Sequence, residues 1–227
     1  MIPYFPQPVW TWGAVSIHAF GVAQAAAMVV GYWMVLRRAG RYGVDSTRAG
    51  TVFAIVAIAG MAGGLAVGGG RTFSSSGVGA GCAVALLVCA WRMGSWALLD
   101  VFASALPLPL MIARVGCFMA HDHVGRHTES WLGVRFPGGT SFDLGLMYAL
   151  GAALVVGVTE VLGRRPLPSG VLFGIVVSLI AITRLAVLRL GVAVGLADEV
   201  FAGVVFVLGF GLGVWRWRSD RWTRGVC

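Results

Sequence analysis

Residues 96–128 read WALLDVFASALPLPLMIARVGCFMAHDHVGRHT. The apolar run Trp96–Ala113 approaches the ~20 residues that cross ~30 Å of hydrocarbon as a helix. It meets a polar cluster, Arg114–Thr128, that holds two arginines, an aspartate and all but one of the 4 histidines in the chain. Ionisable groups are costly near a bilayer and are kept mainly where they bind or react. One stretch therefore carries both the fold signal and the candidate site.

Six more apolar stretches surround it: Ala14–Leu36, Thr51–Gly69, Gly77–Trp91, Leu144–Leu162, Gly170–Leu188 and Val200–Trp215. They are continuous rather than alternating, which predicts helices and not a barrel. With 227 residues, 58% hydrophobic and 11% charged, the chain lies outside the range of soluble domains. The expected fold is an all-α integral membrane protein, a single transmembrane domain over 1–227 with about seven helices. Its candidate site lies in an outer-face region of about 114–143. Gly125, Gly133, Pro137, Gly138 and Gly139 predict an irregular segment there, from about Cys117 to Ser141. Gly60, Gly64 and Gly68 fall four apart, as do Gly170, Gly174 and Ser178, a spacing that predicts close helix packing and no chemistry.

The net charge of +8 comes from arginine alone. These arginines sit between apolar runs rather than on a solvated face, which favours a membrane surface and excludes nucleic acid as partner. Seven spans put Arg37, Arg38, Arg41, Arg48, Arg92, Arg164, Arg165, Arg216, Arg218, Arg221 and Arg224 on one side. Arg71, Arg114, Arg126, Arg135 and Arg189 fall opposite. The richer side is expected in the cytoplasm, leaving the N-terminus outside and the C-terminus inside. The start, MIPYFPQPVW, has no basic n-region or cleavage site and is not read as a removable signal.

That topology gathers polar groups at one outer depth. Arg114 ends the fourth span, Asp143 begins the fifth, and Arg184 lies about one turn below the outer end of the sixth. His18 is placed about one turn into the first span, and Asp198 and Glu199 open the seventh. Arg184, with apolar neighbours on both sides, calls for a buried partner, whereas Arg135 and Arg189 are read as snorkelling to the interface. Two arginines at headgroup depth suit a phosphodiester, because guanidinium stays charged and offers a planar fork of donors. The same contact would stabilise a departing phosphate, and a nearby histidine would accept a proton from a nucleophile. His121, Asp122, His123 and His127 allow three readings: catalytic or headgroup contacts, a polar loop without chemistry, or a metal site. No second ligand cluster is visible for a metal, and no metal or cofactor is expected. Cys82 and Cys89 lie too far apart along one helix for a disulfide, and the 4 cysteines show no paired pattern.

The same residues resemble the prolipoprotein diacylglyceryl transferases, seven-span enzymes of the bacterial inner membrane. That family carries a signature of the form G-R-x-G-N/C-F-x-N. Here the signature reads Ala113-Arg114-Val115-Gly116-Cys117-Phe118-Met119-Ala120, with Gly125 and Arg126 downstream. Ile17-His18-Ala19-Phe20-Gly21, Arg37-Arg38-Ala39-Gly40-Arg41, Asp100, Trp131-Leu132-Gly133-Val134, Phe136-Pro137, Gly170 and Arg184 also fit, in order. The resemblance implies that Arg114 and Arg184 bind the lipid phosphate. It also implies that the nucleophile is the lipobox cysteine of a precursor protein, so that none of this chain's cysteines serves.

Departures from the pattern are concentrated in polar residues. Ser75-Ser76-Gly77 stands where the family has His-Gly-Gly, Cys117 and Ala120 replace the signature asparagines, and Leu188 replaces a glutamate. The family's His-Pro-x-Gln-Leu-Tyr-Glu becomes Phe142-Asp143-Leu144-Gly145-Leu146-Met147-Tyr148. The resemblance implies transfer of diacylglyceryl from phosphatidylglycerol to a lipoprotein precursor. His121 or His123 would supply the missing base, with Asp122 beside them. Arg114, Arg184, Gly116, Arg126, Asp143 and His18 form the candidate binding set. The alternative is a non-catalytic or transport-type membrane protein that keeps the fold and a lipid pocket.

Overall fold

The computed structural model describes residues 1–70, 72–192 and 196–224; Arg71 and Cys227 lie outside them, and the side chains of Arg221 and Arg224 are not described. Among the described residues, seven helices are long and apolar enough to cross a membrane: Ala19–Tyr42, Ser46–Val67, Ser75–Arg92, Trp96–Ala120, Leu144–Leu162, Val171–Leu188 and Asp198–Asp220. We label the helices α1 (Ala19–Ala39), α2 (Ser46–Val67), α3 (Ser75–Arg92), α4 (Trp96–Ala105), α5 (Pro107–Ala120), α6 (Leu144–Leu162), α7 (Val171–Leu188) and α8 (Leu196–Arg224). The fourth span is divided at Leu106 because Pro107 has no N–H to continue the ladder. The chain forms two compact units, and α1, α6, α7 and α8 each contribute residues to both.

The unit of residues 32–106, 159–177 and 207–227 contains the α2–α3 pair. A Cβ on Gly63 would lie 2.4 Å from the Gly77 carbonyl oxygen, and one on Gly77 would lie 2.3 Å from that of Gly63. The expected packing of the Gly60 and Gly64 face holds, with Cys82 and Val78 across from it. Gly174 likewise faces Gly209 and Gly213 of α8. At the start of α7, the buried carboxylate of Asp100 accepts from Gly170 N at 2.6 Å and Phe173 N at 2.9 Å. It satisfies donors that a helix N-terminus leaves open. Arg38 pairs with Glu160, and Arg216 donates to the Ser169 carbonyl at 2.8 Å.

In the unit of residues 1–31, 107–158 and 178–206, the region expected to be irregular has no continuous helix but carries short strands between its turns. α5 runs through the signature to Ala120, three residues past the expected break at Cys117, since nothing from Arg114 to Ala120 interrupts a helical ladder. Strands β4 (Val124–His127), β5 (Val134–Phe136) and β6 (Gly139–Asp143) then join β1 (Ile2–Pro3) in a sheet ordered β1-β5-β6-β4. Near the N-terminus, β2 (Val9–Trp12) and β3 (Val15–His18) pair antiparallel across Gly13-Ala14. Gly13 has φ +59, which a two-residue hairpin loop requires. This hairpin corrects the first span: Val, Ile, Trp and Thr over 9–17 favour a strand, so the helix begins at Ala19 and His18 closes β3 rather than lying a turn inside the span.

Candidate active site

The two arginines of the expected phosphate site line one small cleft of about 60 Å³, with Leu110, Tyr148, Val155 and Thr183. Arg114 lies six residues before the end of α5 and Arg184 four before the end of α7. At 1.5 Å per residue this puts them roughly 9 and 6 Å inside their helix ends, so Arg114 stands within its span rather than at its tip. Tyr148 of α6 was not singled out by the sequence. The Arg114 guanidinium lies over its ring at 4.6 Å, a cation–π contact that holds the charge in an apolar wall. Arg184 finds a carboxylate partner, though an exposed one rather than the buried one expected: its Nη2 donates to Asp198 Oδ1 at 2.7 Å, and the Asp198 side chain is 43% exposed. Arg114 takes no part in the ion pairs among the described residues. Two guanidiniums and one carboxylate leave the cleft with surplus positive charge.

The histidines do not act as one group. His121 follows α5 with φ +50, the only non-glycine residue with positive φ among those described, and this left-handed step turns its ring inward. There Nδ1 meets Asp143 Oδ2 at 2.6 Å, with side-chain exposures of 5% and 0%. Tyr4, Phe5, Phe118 and Phe136 surround the imidazole at ring-centroid distances of 4.6–5.4 Å. Nε2 is buried and has no hydrogen-bond partner among the described residues. Asp143 is the last residue of β6, and its Oδ1 caps α6 by accepting from Leu146 N at 3.1 Å. Burial raises its carboxyl above the usual range, opposed by the His121 contact and the backbone amides.

His123 instead points to solvent and pairs with Asp122 at 2.8 Å, a hydrogen bond that raises its pKa. An extended HDH segment would have put His121 and His123 on one side; the left-handed turn at His121 separates them. His127 meets the Ser141 hydroxyl at 3.1 Å. His18 and Asp122 line a different, open groove with Gln7, Ser16 and Phe20. Arg126 is exposed on β4, its backbone N–H bonded to the Leu190 carbonyl at 2.8 Å. Gly116 lies in the contact of α5 with α1, where a Cβ would come within 2.7 Å of that of Ala23. No group of three or more His, Cys, Asp or Glu is placed to hold a metal among the described residues.

No curated protein matches the chain. The family model for prolipoprotein diacylglyceryl transferase matches residues 67–215, well over half of its length. That stretch contains Arg114, His121, Asp143, Tyr148 and Arg184 and leaves out the β2–β3 hairpin and α1. On this match, with seven helices able to span a membrane, the protein belongs to the prolipoprotein diacylglyceryl transferase family.

Proposed function

We propose that this protein transfers the diacylglyceryl group of phosphatidylglycerol to the lipobox cysteine thiol of a lipoprotein precursor, releasing glycerol phosphate. The observation that carries this reading is the pairing of Arg114 and Arg184 in one cleft. A phosphodiester between them would gain charge-assisted hydrogen bonds that strengthen as the departing phosphate gains charge. The long apolar helices suit a substrate delivered from the bilayer. The excess of arginine at the opposite span ends supports a site at the outer face of the bacterial inner membrane. His121 takes the role of base; Asp122 and His18 line a separate open groove, and His123 and Arg126 are exposed.

The test is a gel-shift transfer assay with purified protein, phosphatidylglycerol vesicles and a precursor peptide containing one cysteine. Wild-type protein is expected to modify the peptide. Arg114→Gln and Arg184→Gln are each expected to weaken lipid binding by about 10–100-fold, the equivalent of losing one charge-assisted contact. Saturable lipid binding with no transfer would instead assign the protein to the non-catalytic, lipid-binding alternative.

A further inference from the structure

We propose that Asp143 is a positioning residue that fixes the His121 imidazole as proton acceptor for the incoming thiol. This inference rests on the transfer reaction above and adds the group that makes its base competent. A carboxylate only accepts hydrogen bonds, so the 2.6 Å contact places the ring hydrogen on Nδ1 and leaves the lone pair on Nε2. Asp143 cannot easily turn away, because its other oxygen is held by Leu146 N at the start of α6. Nε2 is therefore a buried acceptor with nothing to accept from among the described residues. Such an atom is destabilising in a ring that serves only for packing. His121 also carries the left-handed backbone that a β-carbon disfavours, and such strain tends to persist where function requires it.

The walls match the role. Phe5, Phe118 and Phe136 pack around the imidazole, whose side chain is only 5% exposed, and shield it from water. Asp143 then stabilises the imidazolium as it forms. Among the described residues, the Asp143 carboxylate and the phenol of Tyr4 face the ring. Arg114 and Phe118 lie one turn apart on α5, and His121, which directly follows the helix, packs its ring against Phe118 at 5.4 Å. In the step itself the thiol proton passes to Nε2 and sulfur bonds to the glyceryl carbon. The C–O bond to phosphate breaks, its electron pair leaving on glycerol phosphate. The imidazolium then returns its proton to that phosphate or to water.

Asp143→Asn is the decisive variant. Its amide can keep the helix cap through oxygen but presents N–H to Nδ1, which moves the ring hydrogen to Nε2. The expected result in the transfer assay is a fall in kcat of at least about 100-fold with the KM for lipid within about threefold, and partial recovery toward high pH. His121→Gln should lose as much, and the double variant no more than either alone. Nitrogen NMR of histidine-labelled protein in nanodiscs supplies a readout independent of activity. His121 should carry its hydrogen on Nδ1 in the wild type and on Nε2 in Asp143→Asn. Transfer by the wild type that Asp143→Asn leaves unchanged, or a wild-type ring protonated on Nε2, overturns this proposal alone. Absence of transfer by the wild type overturns the reaction and this role with it.

Discussion

The Arg184 guanidinium of α7 and the Asp198 carboxylate in the first turn of α8 form a 2.7 Å ion pair beside the cleft that Arg114 shares. Asp198 competes with any anion for the same donor group. Asp198→Asn should therefore tighten phosphatidylglycerol binding several-fold, by removing a like charge from beside the phosphate. The lipid-free protein should lose no more than about 1 kcal/mol, since the carboxylate is 43% exposed and solvent screens the pair. Calorimetric titration with lipid and melting curves with and without it measure both effects. Unchanged or weaker lipid binding would separate Arg184 from the phosphate site.

Asp100 is the second place where one carboxylate organises a helix. Asp100→Ala strands the buried N–H of Gly170 and that of Phe173. At roughly 1–3 kcal/mol for each buried donor left unpaired, the variant should melt well below the wild type. Asp100→Asn keeps an acceptor and should lose less. Thermal unfolding in one detergent compares the three.

The Gly63–Gly77 contact predicts steric failure rather than chemical failure. Alanine at either position puts a methyl about 2.3–2.4 Å from a backbone oxygen, so α2 and α3 must separate. A destabilisation of about 1–3 kcal/mol follows from overpacking. Gly157, where an added Cβ would meet nothing within 4 Å, should accept alanine without such loss. Failure of this contrast would remove close packing as the role of the α2 glycines.

His123 should titrate above its ordinary 6.5 because of the hydrogen bond to Asp122. Asp122→Asn should lower the midpoint toward 6.5, read by proton NMR. A histidine pKa raised by folding contributes stability that is complete below the unfolded value and lost as pH rises through the folded one. The window therefore opens near pH 6.5 and extends upward. The ring is 63% exposed, so the melting temperature should change little across it.

Much of the fold is legible in the chain because lipid imposes a simple rule: every backbone polar group is satisfied within its own segment, so spans appear as unbroken apolar runs. Leu144–Leu162 is a helix with the expected bounds, and the sixth span differs by one residue. The α2 glycines are readable for the same reason, as spacing along a helix maps directly onto a face. Legibility weakens where the chain leaves the apolar rule. Residues 14–18 are apolar enough to pass for the start of a span, yet the β-branched and aromatic residues around Gly13 make a hairpin. The signature through Ala120 reads as the start of an irregular segment, yet it stays helical.

The sequence by itself determined that Arg184 is a polar group within an apolar span and that Arg114 adjoins one, because composition and hydropathy are local. Only the tertiary structure decided what each one meets. Arg114 meets Tyr148 and Arg184 meets Asp198, through helices whose rotation about their axes no linear pattern specifies. The separation of His121 from His123 depends on one backbone angle, and the His121–Asp143 contact joins residues 22 apart through a sheet that orders β6 beside β4. Hydrophobic periodicity reports which face of an element is apolar. Partner choice across elements is set by packing, and it is packing that turned two scattered polar residues into a buried pair.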